Sequence, residues 1–240
     1  MLHSKEYFGL QLEFARKAGE VTNIPLTEAI LQYTTCYKKF EIEGWDFNPQ
    51  NPVWQEFVQN LNISTDPLDA VYDFYLERHK QEDEDPISPF GCFSYDYKDD
   101  IHQVQIHFKQ KDISGTGPLG ADRIEVRRAE LKKLFGDVKA KHPEATTVKG
   151  LSWLYGIESY KRLFPASYTE NPPIMKGWFK SYALWGQFVN SKKEVKQDMT
   201  QKFLECIKTK DTIEDLEACF PYKIFEPVGD IDDFYKFYNL

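Results

Sequence analysis

The sequence predicts an α/β fold: a mixed or antiparallel central sheet with packed helices, preceded by a helical N-terminal region. Three patterns carry this expectation. Apolar residues recur at three- and four-residue intervals through the first 80 positions, alternation with period two occupies residues 101–109, and a long helical pattern over 122–141 lies between strand patterns. With 240 residues, 41% of them apolar and 15% aromatic, the chain has material for a buried core in one large domain or two ordinary ones.

The first helix follows from Tyr7, Leu10, Phe14 and Ala18, and a second from Leu26, Ile30, Tyr33, Tyr37 and Phe40. Asn51-Pro52 and Asp66-Pro67 each place a side-chain acceptor at an N-cap and proline at the first helical position. Trp54, Phe57, Val58 and Leu61 then form one buried stripe, and Leu68, Val71, Tyr72 and Tyr75 another. Residues 80–89, KQEDEDPISP, join an acidic run to two prolines and read as a connector. The expected division is a helical region over 1–82 and an α/β domain over 88–240 with a helical C-terminal tail.

Beyond the connector, residues 90–97 and 101–109 predict a hairpin turning at Lys98-Asp99-Asp100. His102, Val104, Ile106 and Phe108 fall on its apolar side, with Gln103, Gln105, His107 and Lys109 on the other. Ile124, Leu131, Phe135 and Val138 define the long helix, which His142-Pro143 stops. A strand over 145–153, a short helix over 156–164 ended by Pro165, a loop over 166–176 and an aromatic extended segment over 177–189 follow. The chain then returns to helix, with Val195, Met199, Phe203 and Ile207 as a stripe, and Thr212 with Asp215 and Asp230 with Asp233 as capping pairs.

A net charge of -8 repels nucleic-acid backbones and anionic membrane surfaces, and the expectation is no nucleic-acid partner. No window approaches the 18 apolar residues of a bilayer span, and no leader pattern opens the chain, so no membrane partner and a cytoplasmic location are expected. Cys36, Cys92, Cys206 and Cys219 lack the close spacing of a zinc knuckle or redox dithiol and read as buried thiols in a reducing compartment. With no HExxH and no histidine-carboxylate cluster, no metal is expected. Gly150-Leu151-Ser152-Trp153-Leu154 is half of a nucleophile elbow, its second glycine replaced by Leu154.

The strongest local chemistry is Ser114-Gly115-Thr116-Gly117-Pro118-Leu119-Gly120, between a strand and the long helix. Glycines there let backbone N–H groups approach an anion at a helix start, although the same residues suit a surface loop. Arg123, Arg127 and Arg128 crowd the first turns, against the helix dipole; a bound phosphate would compensate, as would Glu125 and Glu130. His107 lies on the polar side of its strand, where it is either a proton carrier or a solvated histidine. Tyr95, Tyr97, Trp153, Tyr155, Tyr160, Trp178, Tyr182 and Trp185 either line a pocket or fill a core.

Taken together, Val104 to Phe164 resembles the central part of the GCN5-related N-acyltransferase family. Gly115, Gly117 and Gly120 stand for the pyrophosphate loop, Thr147 to Trp153 for the later strand, and Tyr160-Lys161-Arg162-Leu163-Phe164 for the end of the short helix. Pro118 in the loop and Trp153 before the short helix depart from the family pattern. The resemblance implies acyl-CoA as cosubstrate, with Gly115, Gly117, Gly120, Arg123, Arg127 and Arg128 as its binding residues, and a small-molecule amine as acceptor. It implies His107 as the base that takes the amine proton and Tyr160 as the acid that protonates the thiolate. The rival expectation is a non-catalytic protein whose helices and aromatic sheet bind a small molecule or a protein.

Overall fold

The computed structural model describes residues 2–79, 88–109, 117–190 and 192–240. In chain order the elements begin with five helices: α1 (Lys5–Thr22), α2 (Leu26–Tyr33), α3 (Cys36–Lys39), α4 (Pro52–Ile63) and α5 (Pro67–Arg78). Then come β1 (Phe93–Lys98), β2 (Gln103–Phe108), α6 (Ile124–Lys141), β3 (Thr147–Lys149), α7 (Glu158–Lys161), α8 (Ala166–Thr169) and β4 (Ile174–Met175). The last are α9 (Tyr182–Trp185), α10 (Gln197–Lys208), α11 (Ile213–Ala218), β5 (Ile224–Phe225), β6 (Val228–Asp230) and α12 (Ile231–Tyr238). The chain forms two compact units that interleave in sequence, Met1–Glu84 with Gly177–Pro221, and Asp85–Lys176 with Tyr222–Leu240.

The first unit is helical and held by aromatic side chains. Asn51 Oδ1 accepts from the Val53 amide at 2.9 Å and Asp66 Oδ1 from the Leu68 amide at 2.8 Å, so both proline-marked starts are capped. The second predicted stripe is cut at Thr34-Thr35: Thr34 is extended, its hydroxyl donates to Ile30 O, and Thr35 donates from both N and Oγ1 to Gln11 Oε1. Helices α2 and α3 result. Phe40 packs on Phe57 and Phe74 at 4.7 and 4.9 Å between ring centroids. On α1, Phe14 is surrounded by Phe179, Trp185, Phe203 and Phe220 at 5.3 to 5.8 Å, all from the second stretch of the unit.

The second unit is α/β, with a four-stranded mixed sheet in the order β1-β2-β3-β6 and a small β4-β5 pair. β1 and β2 form the predicted antiparallel hairpin, β2 and β3 run parallel across α6, and β6 closes antiparallel on β3. Pairing puts Phe93, Phe108, Tyr95, Ile106, Tyr97, Val104 and Val148 on one face. There Val104, Ile106 and Val148 join Leu131, Leu134, Phe135 and Val138 of α6 and Phe234 and Tyr238 of α12 in one buried cluster. Each such side chain contributes about 1.5–3 kcal/mol of burial. The other face carries Ser94, Asp96, Gln103, Gln105, His107, Thr147 and Lys149.

Several expectations are corrected. Residues 177–189 are not a strand: α9 and a following 3-10 turn bury Leu184, Trp185 and Phe188 at helical spacing, which the aromatic content masked. The strand predicted over 145–153 is shorter, because after Lys149 the backbone changes partner, Gly150 N donating to Pro227 O and Ser152 N to Phe225 O. The stretch 166–176 contains α8 and β4. His102 is exposed and not a core group, since its φ of 48° ends the turn before β2 and takes it out of the strand alternation. Cys206 and Cys219 are disulfide-bonded, with Cα atoms 5.8 Å apart, while Cys36 and Cys92 are buried thiols as expected.

Two stability outcomes follow from this packing. A fragment of residues 1–84 lacks every partner ring of Phe14 named above, so it is expected to show no cooperative thermal transition as a monomer; calorimetry checks this. At Gly150 an added Cβ would collide with the hydroxyls of Tyr155 and Tyr168, whereas at Gly186 it would meet open space. Gly150→Ala should therefore cost about 1–3 kcal/mol in urea unfolding, and Gly186→Ala much less.

Candidate functional site

The loop that enters α6 is described from Gly117 onward; Ser114, Gly115 and Thr116 lie outside the described residues. Gly117 has a φ of +100°, a conformation that calls for glycine, and a Cβ there would meet nothing within 4 Å. The Gly120 amide donates to Gly117 O at 3.1 Å and the Arg123 amide to Gly120 O at 3.0 Å, winding the chain through a 3-10 turn, Ala121–Arg123, into α6. The loop and the helix start are thus adjacent, as the sequence suggests.

Of the three predicted arginines, two are at this junction. Arg123 ends the 3-10 turn half-exposed. Arg128 is exposed, 3.5 Å from Glu125 Oε1, and donates from Nη2 to Arg162 O at 3.3 Å. Arg162 donates in turn to Leu119 O at 3.5 Å, which brings a third guanidinium to the loop. Its place beside Tyr160 in the sequence was the available signal for it. Arg127 points the other way, into the interior: it is 2% exposed, pairs with Glu130 Oε2 at 3.2 Å and bonds Cys92 Sγ. Glu130 Oε2 also accepts the Cys92 amide at 3.2 Å, so Arg127 and Glu130 fasten α6 to the start of β1. Arg127 is therefore committed to the fold rather than to the loop surface.

His107 Nε2 lies 2.9 Å from Asp96 Oδ2 on the polar sheet face. Tyr160 is on the opposite side. Its ring is 2% exposed and packs edge-on against Phe108, Tyr155 and Phe164 at 5.5, 5.1 and 5.0 Å. Tyr155 and Tyr168 share a hydroxyl pair at 3.0 Å. Burial pushes the phenols of Tyr155, Tyr160 and Tyr168 well above the ordinary tyrosine value, Tyr160 being raised further by Tyr155, so all three stay protonated at neutral pH. Alternation along β2 explains the separation of His107 and Tyr160: His107 and Phe108 are successive residues, and Tyr160 rests on the second.

Parallel pairing of β2 with β3 ends at Gln105 and Lys149, yet β2 continues through Ile106, His107 and Phe108. Beyond the end of β3, β2 runs on without that partner, with His107 on one face and Phe108, on which Tyr160 packs, on the other. A separate shallow cleft of about 530 Å³, lined by Lys139, Pro143, Asp232, Tyr235, Lys236 and Leu240, lies by the C-terminal end of α6. It is the far end of the helix from the arginines, roughly 16–24 Å along the axis at 1.5 Å per residue. Among the described residues there is no group of three His, Cys, Asp or Glu side chains placed to hold a metal, and no helix long and apolar enough to cross a membrane. Set beside known proteins, the chain matches no family model, no curated protein and no solved structure.

The opposite settings of neighbouring arginines give a direct test. Arg127→Met leaves the Glu130 carboxylate without its buried partner and should cost about 3–5 kcal/mol, while Arg128→Ala, losing exposed contacts, should cost under about 1 kcal/mol; parallel urea unfolding checks both.

Proposed function

We propose that the α/β unit is an N-acyltransferase that moves an acyl group from acyl-CoA to a small-molecule amine. The observation that carries this reading is the gap in pairing along β2, which runs on past the end of β3, together with a glycine-bearing entry to α6 that holds Arg123 in its turn and has Arg128 and Arg162 bonded along it. In this reading the three guanidinium groups and the first amides of the entry hold the CoA pyrophosphate. The thioester carbonyl lies in the gap, where strand amides polarise it. His107, oriented by Asp96, takes the amine proton from the polar face, and Tyr160 gives a proton to the thiolate from the other. Burial keeps the Tyr160 phenol protonated, and the same burial requires that the CoA sulfur enter the aromatic cluster for this transfer. The gap reconciles a base and an acid on opposite faces, since the reacting atoms lie between them.

Arg127 has no part in this scheme. The net charge of -8 favours a cationic acceptor, and the same reading puts the protein in the cytoplasm, without nucleic-acid partner or metal. Calorimetry with CoA and acetyl-CoA tests the reading. Binding is expected, weakened about tenfold or more in Arg123→Ala/Arg128→Ala with the melting temperature kept. In single turnover with an amine that serves as acceptor, Tyr160→Phe should slow transfer by roughly 10² to 10⁴. Absence of heat and of competition at millimolar CoA, in protein shown to be folded, would remove the reading.

A further inference from the structure

Two of the four cysteines are shut away from exchange and two are not. Cys36 and Cys92 are each 2% exposed, and burial pushes the Cys36 thiol up to about 12. Cys206, in the last turn of α10, and Cys219, which caps α11, are bonded to each other and half-exposed. Reactivity of a disulfide toward a thiolate requires access to a sulfur, and both cysteines of this bond lie at the part-exposed margin of the unit. The residues around it show what it governs. Phe203 lies one turn before Cys206 and Phe220 directly follows Cys219; their rings are 4.7 Å apart, and both close on Phe14 of α1.

We propose that Cys206–Cys219 is a reversible modification site, made and broken by exchange with a small thiol–disulfide couple such as glutathione, and that it sets the stability of the helical unit. In reduction, a glutathione thiolate attacks one sulfur; a mixed disulfide forms as the protein S–S bond breaks, and the other cysteine leaves as thiolate. A second glutathione thiolate then attacks the glutathione sulfur of the mixed disulfide, releasing glutathione disulfide and the second cysteine. The protons lost by two glutathiones end on two cysteines. Oxidation is the same sequence reversed, with glutathione disulfide as the oxidant. The reduced unit is expected to keep its fold, because the buried side chains Phe203, Ile207, Leu216 and Phe220 supply apolar burial that is separate from the bond. It loses the restraint that the bond, spanning 13 residues of sequence, places on the unfolded chain.

The test equilibrates full-length protein in glutathione buffers from fully reduced to fully oxidised, quenches with acid, and counts alkylated cysteines in denaturant by mass. Expected are four modified cysteines at the reducing end, two at the oxidising end, and a single transition between. Reduction should lower the melting temperature by roughly 5–10 °C. Cys206→Ala/Cys219→Ala should melt like the reduced protein and ignore the buffer; if that variant fails to fold, wild type reduced and alkylated at these two positions replaces it. Four reactive thiols at every ratio, a bond that survives the reducing end, an unchanged melting temperature, or a shift that persists without the two cysteines would each overturn the proposal.

Discussion

The α/β unit depends on a single constraint, the burial of one face of β2. This strand pairs with β1 along its whole length and with β3 along its first half, and its inward residues Val104 and Ile106 are covered by α6. Successive side chains must point to opposite faces, so burial of Val104 and Ile106 turns Gln103, Gln105 and His107 outward. A slip of one residue would bury two glutamines and a histidine together. The register fixed in this way also decides where the strand ends, and hence where the loop into α6 begins.

What was legible in the sequence is what is decided locally. A side-chain oxygen beside a proline starts a helix without help from the rest of the chain, and Asn51 and Asp66 do this; Thr212 likewise accepts the Asp215 amide at 3.1 Å. The hairpin and α6 have enough periodic residues to declare themselves. β6 does not: three residues, Val228-Gly229-Asp230, form a strand because β3 offers them a free edge, and no alternation can be read in three positions. The segment 177–189 misled through composition, since aromatic residues favour strands on average but here answer to the pocket around Phe14. Pairing of Cys206 with Cys219 depends on how α10 meets α11, which spacing alone does not reveal.

The candidate site divides along the same line. Gly117 and the helix entry follow from local chain geometry and were visible. That Arg127 turns inward while Arg128 stays out follows from a helical rotation of 100° per residue, and only the side on which α6 meets the sheet decides which of them is buried. Leu131, Leu134 and Val138 are fully buried, and Arg127, four residues before Leu131, shares their face. A guanidinium there is tolerable because Glu130 neutralises it and Nη1 also bonds Cys92 Sγ.

Arg123, Arg128 and Arg162 gather at this junction together with Asp122 and Glu125, and in the proposed reading a bound anion would add to that balance. Cations in the first turn of a helix oppose its dipole by about 0.3–1 kcal/mol each, and less beyond it, where Arg128 stands as the fifth residue of α6. Glu125 offsets part of this for Arg128, but its side chain is 85% exposed and the pair is separated by 3.5 Å, a geometry worth about 0.2–1 kcal/mol at most. Arg162 adds a further positive charge from another segment, held there by a carbonyl that carries no net charge. In the proposed reading a diphosphate would meet the guanidinium groups and the first helix amides together, a bidentate geometry that suits the guanidinium fork. The -8 of the whole chain does not cancel this field, because charges more than about 8–10 Å away are screened at physiological salt. In the proposed reading the guanidinium groups therefore act on a bound anion at close range, and the acidic remainder acts chiefly on what approaches from farther off.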